Sequence, residues 1–346
     1  MPSPIAQTVR LRSFRDLGLL LPVAALVLGP VGFLAWMGRG GGIGDLVARM
    51  NELGVLATVG RVFLLACSTT LLAATMGVPL AWLTVRSDLP ARRFIRWLVP
   101  LPLAIPPYIG AIVYQIVFAP AGPLNAFLAR TFGFSPETRI VSIYGVPGAA
   151  WVLSLFIFPY IFLLVAGGLE RMSPSLEEVA RATGMSRWAV FFRVTLPMLR
   201  PALLGGGLMV FLYAWADFGV VSLLRVRTLT TIVFDYVQGT MDWTIPASLS
   251  VFLTLITTAV LAIQLWILGG GTYAQVTSAS RPARPVPVGR WRIPAMLFGF
   301  LVLLCALGVP LGVLAYQASR LSVPAAWSFL SQQSSFIRNS VWTAAS

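Results

Sequence analysis

The chain has 346 residues, 58% hydrophobic and only 10% charged, where ordinary soluble domains carry roughly a quarter charged residues, so lipid is the expected solvent. All 25 basic residues are arginine and histidine is absent, which excludes a lysine-bearing phosphate loop, Schiff-base chemistry and the histidine-based acid/base and zinc sites. The formal charge of +14 is spread in short arginine clusters between apolar runs; with no basic domain to form a binding face, nucleic acid is not an expected partner.

A bilayer core takes about 20 residues of apolar helix. Seven segments qualify, at 17–36, 62–82, 97–118, 145–166, 202–221, 247–268 and 294–316. The expected fold class is therefore all-α: a polytopic transmembrane helical bundle of seven spans plus the start of an eighth. Residues 1–54 read as an N-terminal span with an extracytoplasmic loop. Arg10, Arg12 and Arg15 before that span mimic a signal peptide, but the apolar run is too long for one. With the N-terminus inside, 16 of the 25 arginines fall in inside segments, so the positive-inside bias places the N-terminus in the cytoplasm. Cys67 and Cys305 lie far apart within apolar runs and read as small buried hydrophobes rather than a disulfide or metal pair.

Between the fourth and fifth spans, residues 170–200 carry the strongest helical pattern outside the spans. Ser175 and Glu178 fit a capping box, Leu176, Val179 and Ala180 share a face, and Gly184 suits the left-handed stop of that helix. Ser186 can cap a second short helix bearing Trp188, Val190, Phe191 and Phe192, ended by Pro197. Large apolar side chains on an arginine-rich loop mark either a contact surface or a helix pair lying on lipid headgroups.

The residues of this loop resemble a known family. Glu178, Val179 and Ala180, then Gly184, then Val194, Thr195, Leu196 and Pro197 follow the EAA motif of the membrane subunits of bacterial ABC importers. That pattern runs Glu-Ala-Ala, three residues, Gly, nine residues, Ile, any residue, Leu-Pro; Val179 and Val194 are the two departures. The resemblance implies an inner-membrane permease whose loop seats in a groove of a separate ATP-binding subunit, with Glu178, Ala180, Gly184, Leu196 and Pro197 making that coupling. It also implies two ATP-binding subunits and an extracytoplasmic substrate-binding protein as partners besides membrane lipid. No cofactor is expected in this chain, ATP and magnesium being held by the partner, and the chain is expected not to be an enzyme.

In the fifth span and just beyond it, Tyr213 to Gly219 (YAWADFG) and Thr228 to Thr231 (TLTT) are similar to the stretch after the first EAA loop of ferric iron permeases, as is Leu101 to Tyr108 (LPLAIPPY) to their third span. The resemblance implies ferric iron as substrate, with thiamine, polyamine or phosphonate as alternatives on the same machinery. A carboxylate in a span must face protein or water, so Asp217, with Tyr213, is a candidate for the translocation path, against a structural hydrogen bond as the plainer use. An ion-coupled secondary transporter would need more ionisable residues at mid-span than Asp217 alone.

Residues 55–268 make up the expected first permease domain, and the Gly-, Pro- and Arg-rich stretch 269–292 reads as a cytoplasmic linker. Residues 30–36 (PVGFLAW) reappear as 310–316 (PLGVLAY), and 61–68 (RVFLLACS) resemble 339–346 (NSVWTAAS), at offsets of 280 and 278. Six spans separate the copies, so the repeat is parallel. Residues 293–346 are then the start of a second, truncated unit, and the natural protein is expected to continue through further spans.

Overall fold

A computed structural model describes residues 51–133, 141–239, 243–269, 285–320, 327–328 and 331–345, with isolated positions 32, 33, 36 and 48. Apart from positions 32, 33 and 36, the expected first span and the first copy of the 30–36 repeat lie outside the described residues, as does most of the 269–292 stretch. The helices are α1 (Val55–Val85), α2 (Arg92–Leu98), α3 (Pro107–Val117), α4 (Pro123–Phe132), α5 (Val146–Arg171), α6 (Pro174–Ala182), α7 (Arg187–Val190), α8 (Arg200–Ala216), α9 (Gly219–Leu223), α10 (Leu229–Gly239), α11 (Thr244–Gly269), α12 (Arg292–Leu303), α13 (Val309–Ser319) and α14 (Ser334–Ala345). Among the described residues the one β contact is an isolated parallel bridge between Ser87 and Val286.

The core is built around α5. This helix is apolar all round, the pattern of a helix buried on every side, and Phe156, Phe158 and Phe162 on it are fully buried. Helices α1 and α8 pack on α5 through glycines, the small-residue contact that lets helix backbones approach. A β-carbon at Gly77 of α1 would stand 3.0 Å from the Phe158 carbonyl oxygen, and one at Gly206 of α8 would stand 2.8 Å from Ile161 Cα. Outward, α1 shows Leu56, Phe63, Leu64 and Leu71, a surface suited to lipid.

Four helical stretches are long and apolar enough to cross a membrane: Val55–Val85, Val146–Arg171, Thr244–Ile263 and Gly289–Ser319. They correspond to the expected spans at 62–82, 145–166, 247–268 and 294–316. The third and fifth expected spans are not straight. Pro100, Pro102, Pro106 and Pro107 force the third into a 3₁₀ turn (Leu101–Ala104), an extended Ile105 and a 93° bend between Arg92–Ala104 and Pro107–Val117. The fifth, expected to run through Val221, stops at Ala216, because Asp217 is extended and starts the separate helix α9. Its other end meets Phe191–Met198 at 62°. Counting each bent pair as one span gives six among the described residues.

The end of the expected linker is also more ordered than a tether. Val286 N–H donates to the Arg86 carbonyl (2.8 Å), Asp88 N–H donates to the Val286 carbonyl (3.2 Å), and Val288 N–H donates to Asp88 Oδ1 (2.8 Å). Residues 285–288 thus lie along 86–88, just after α1, before the chain turns through Gly289–Trp291 into α12.

Candidate functional site

The loop 170–200 joins the end of α5 to the start of α8, so both of its anchors are core helices. Its first helix, α6, begins two residues earlier than the capping-box reading expects. Pro174 occupies the first helical position and Ser173 the N-cap, since proline's fixed φ suits that position and its missing N–H costs nothing there. Ser175 is then inside the first turn, and its side chain, like that of Trp188, lies outside the described residues. The helical period turns Glu178 and Val179 outward, with Val179 64% exposed, and Glu177 and Ala180 inward, at 6% and 8%.

Gly184 ends α6. Its φ of +83° lies in the left-handed region, Met185 N–H donates to the Ala180 carbonyl (3.4 Å), and Gly184 N–H donates to the Arg181 carbonyl (3.0 Å). This is the paired closure of a Schellman stop, which satisfies the last carbonyls of the helix. Ser186 then accepts from Ala189 N–H (3.2 Å), capping α7. The second helix does not end at Pro197 as expected. It widens into a π turn (Phe191–Thr195), with Leu196 N–H bonded to the Phe191 carbonyl, and passes through Pro197 to Met198 before bending at Leu199. A proline two residues past the wide turn has no N–H to keep the α-ladder in register. Leu196 and Pro197 are half-buried in this last turn, and Leu199 packs against Gly168 of α5.

Below the exposed face sits a buried polar cluster centred on Glu177. Its Oε1 accepts from Thr195 Oγ1 (3.0 Å), its Oε2 pairs with Arg181 (3.3 Å), and Arg86 Nε lies 3.9 Å from Oε1. Arg86 is itself 4% exposed and donates from Nη2 to the Met172 carbonyl (2.9 Å). Burial pushes the Arg86 pKa down from its ordinary value, and the Glu177 charge opposes that shift. Glu177, Arg86 and Thr195 are absent from the sequence-derived site. The i,i+4 spacing of Glu177 and Arg181 was readable as a helical ion pair; the approach of Arg86, 91 residues earlier in the chain, had no local signal.

The five residues of the motif therefore lie on one loop, whereas Tyr213 and Asp217 lie at the far end of α8, about 25 Å away at 1.5 Å per residue. Tyr213 is 37% exposed. The Asp217 carboxylate accepts from the Val220 and Val221 amides (2.9 and 3.1 Å) and its carbonyl accepts from Thr230 Oγ1 (2.9 Å). Thr228 and Thr231 bond each other reciprocally at the start of α10, each hydroxyl taking the other's N–H. The two sequence patterns thus meet through the Thr230 hydroxyl on the Asp217 carbonyl. Beside them, Phe218, Thr230, Val233, Phe234, Val237 and Ser250 line an open groove of about 300 Å³. At the same end Arg61 Nη1 donates to the Arg227 carbonyl (3.1 Å) and Arg225 sits 5.0 Å over the Tyr144 ring.

Residues 73–269, over half of the chain, match the family described as "Binding-protein-dependent transport system inner membrane component". A putative ferric transport system permease protein of Haemophilus influenzae is 28% identical over 183 residues, covering 52% of this chain and 28% of its own length. A probable sulfate transport system permease protein of Marchantia polymorpha is 30% identical over 198 residues, covering 56% of this chain and 65% of its own. A molybdate/tungstate transport system permease protein of Thermococcus kodakarensis is 24% identical over 228 residues, covering 65% of this chain and 83% of its own. This chain thus aligns with about a quarter of the length of the ferric relative. With a family match that takes in α5, the 170–200 loop and α8, the chain belongs to the binding-protein-dependent transport system inner membrane components and is a non-catalytic part of a transporter.

Proposed function

We propose that this chain is a membrane-spanning permease subunit of an ATP-binding-cassette importer of the bacterial inner membrane, moving substrate with ATP hydrolysed by separate subunits. The observation that carries the reading is the 170–200 loop. It links two core helices and turns Glu178, Val179 and Phe192 outward around a glycine stop, the form of a docking knob. Glu178, Ala180, Gly184, Leu196 and Pro197 are its coupling residues: Glu178 by contact, Ala180 by seating the helix, Gly184 by ending it, and Leu196 and Pro197 by aiming the turn into α8. Two ATP-binding subunits on the loop side, where the N-terminus also lies, and a substrate-binding protein on the opposite side complete the assembly. ATP binding shifts the balance between inward- and outward-open states. The internal repeat supports residues 293–346 as the opening of a second permease unit.

Ferric iron is the proposed substrate, supported by the YAWADFG and TLTT stretches and by the similarity to the ferric permease of Haemophilus influenzae. An oxyanion is the second reading. It is favoured by the sulfate and molybdate/tungstate relatives and by Arg61, Arg225 and Arg227 gathered at the end opposite the loop. Tyr213 and Asp217 are proposed to border the path at that end.

The test is uptake into proteoliposomes containing the full protein, its ATP-binding subunit and its binding protein, with ferric iron, sulfate or molybdate outside and ATP inside or absent. ATP-dependent ferric uptake lost in Glu178→Arg is the expected result. Uptake of an oxyanion instead moves the substrate to the second reading. Uptake that ignores ATP and follows an ion gradient overturns the importer.

A further inference from the structure

The buried cluster beneath the loop does something the exposed motif cannot. Glu178 faces outward, so its contacts reach a partner and not the bundle. Glu177 faces inward and is held by groups from three parts of the chain. Arg181 belongs to its own helix, Thr195 to the second half of the loop, and Arg86 to the end of α1. Arg86 in turn is gripped along its backbone by Val286, the residue that leads the chain into α12. Loop and first core helix thus meet on one carboxylate, and the returning segment is bonded to the backbone of the same arginine.

A buried charge pair is a poor source of net stability, because desolvation offsets the attraction, but removing one partner alone leaves a charge stranded. Such pairs therefore fix geometry. The geometry fixed here is the position of the loop relative to α1, since α5 and α8 already hold the loop covalently at both ends. The pair thus adds a direct tie from α6 to the end of α1, beside the packing of α1 on α5 and α8 and the Arg86 bond to the Met172 carbonyl.

We propose that the Arg86–Glu177 pair is the joint that holds α6, the outward-facing part of the 170–200 loop, to the end of α1, so that the docking face and the bundle turn together. Glu177 and Arg86 are positioning residues in this scheme, acting through the helices they tie. The proposal rests on the permease reading for its transport consequence and on the structure alone for the joint.

Two measurements on the full protein in proteoliposomes test it, with Glu177→Gln, Arg86→Gln and the double variant. The first is the rate of tryptic cleavage after Arg181, Arg187 and Arg193, read by mass spectrometry. Each single variant should be cut about tenfold faster than the parent, and the double variant, which removes the same joint once, should be cut no faster than the faster single. The second is substrate moved per ATP hydrolysed, with ferric iron, sulfate and molybdate each used as probe. In the single variants this ratio should fall by about tenfold while the ATP-binding subunit still associates within about twofold of the parent affinity, and the double variant should fall no further than the singles.

Single variants that are cut and coupled like the parent overturn the joint, as does a double variant worse than either single. If a single variant fails to insert, the double variant decides: insertion with about tenfold faster cleavage supports the pair, and parental protection overturns it. If the parent moves none of the three probes and Glu178→Arg leaves association intact, the importer reading falls, and the tryptic series alone decides the joint.

Discussion

Substituting Gly184 isolates a backbone effect from a packing effect. A β-carbon at this position meets nothing within 4 Å, yet φ is +83°. The cost of Gly184→Ala is therefore conformational, about 1–2 kcal/mol for an L-residue held in the left-handed region. That energy is drawn from a local stop made by two hydrogen bonds, Met185 N–H to Ala180 and Gly184 N–H to Arg181. A loss of 1–2 kcal/mol multiplies the open population of the stop by about 5–30. Amide hydrogen exchange on the purified protein reads this directly: residues 184 and 185 should exchange about 5–30 times faster in Gly184→Ala, with α5 and α8 unchanged. Gly184→Asn should fall between the two, because asparagine tolerates the left-handed region. Parental exchange at 184 and 185 in the alanine variant, or asparagine no better than alanine, would refute the reasoning.

Three further outcomes follow from the geometry. Glu178→Arg, on the outward face of α6 and clear of the buried cluster, should leave insertion and thermal stability unchanged while abolishing co-purification of the ATP-binding subunit; retained co-purification removes the docking assignment. Asp217→Asn keeps an oxygen for the Val220 and Val221 amides and should melt close to the parent, whereas Asp217→Ala should lose about 1 kcal/mol, measured by thermal unfolding in detergent. Equal losses would mean that the charge itself holds the α8–α9 corner. Gly206→Ala sets a β-carbon 2.8 Å from Ile161 Cα and should cost about 1–3 kcal/mol by pushing α8 off α5. Gly205→Ala, whose β-carbon would be 3.6 Å from Leu164 Cδ1, should be near neutral, and a reversal of that order would contradict the packing.

Hydrophobic run length located α1, α5, α11 and the Gly289–Ser319 stretch because a straight apolar helix is a local property, set by residues that are neighbours in sequence. It gave no sign of the bends at 97–118 and 202–221, where apolarity continues through backbone breaks. Four prolines in the first case and the amide-capturing carboxylate of Asp217 in the second redirect the chain without lowering its hydropathy. In the loop, Gly184 and Ser186 were readable because each acts within four residues. The capping residue of α6 was misplaced because Ser173-Pro and Ser175 compete for the same turn, and the proline decided it. The inward face was not readable at all: whether Glu177 or Glu178 is buried depends on where α1 passes. The linker reading of 269–292 met the same limit, since the pairing of 285–288 with 86–88 spans 200 residues.

The arrangement of the three core helices explains why one loop can address the whole bundle. Helices α1 and α8 are locked to α5 by glycine contacts that leave no room for sliding, so the three form one body and a force on any of them moves all. The loop is continuous with two of these helices and, through Arg86, is tied to the third at the same end. Four polar contacts around Glu177 and Arg86 thus stand between the outward face of α6 and the bundle. The cluster holds the outward face to α1 where the short helices α6 and α7 bury little apolar surface of their own. A loop that docks a partner without this cluster would rotate on its own hinges at Ser173 and Leu199; with it, the loop turns with the bundle.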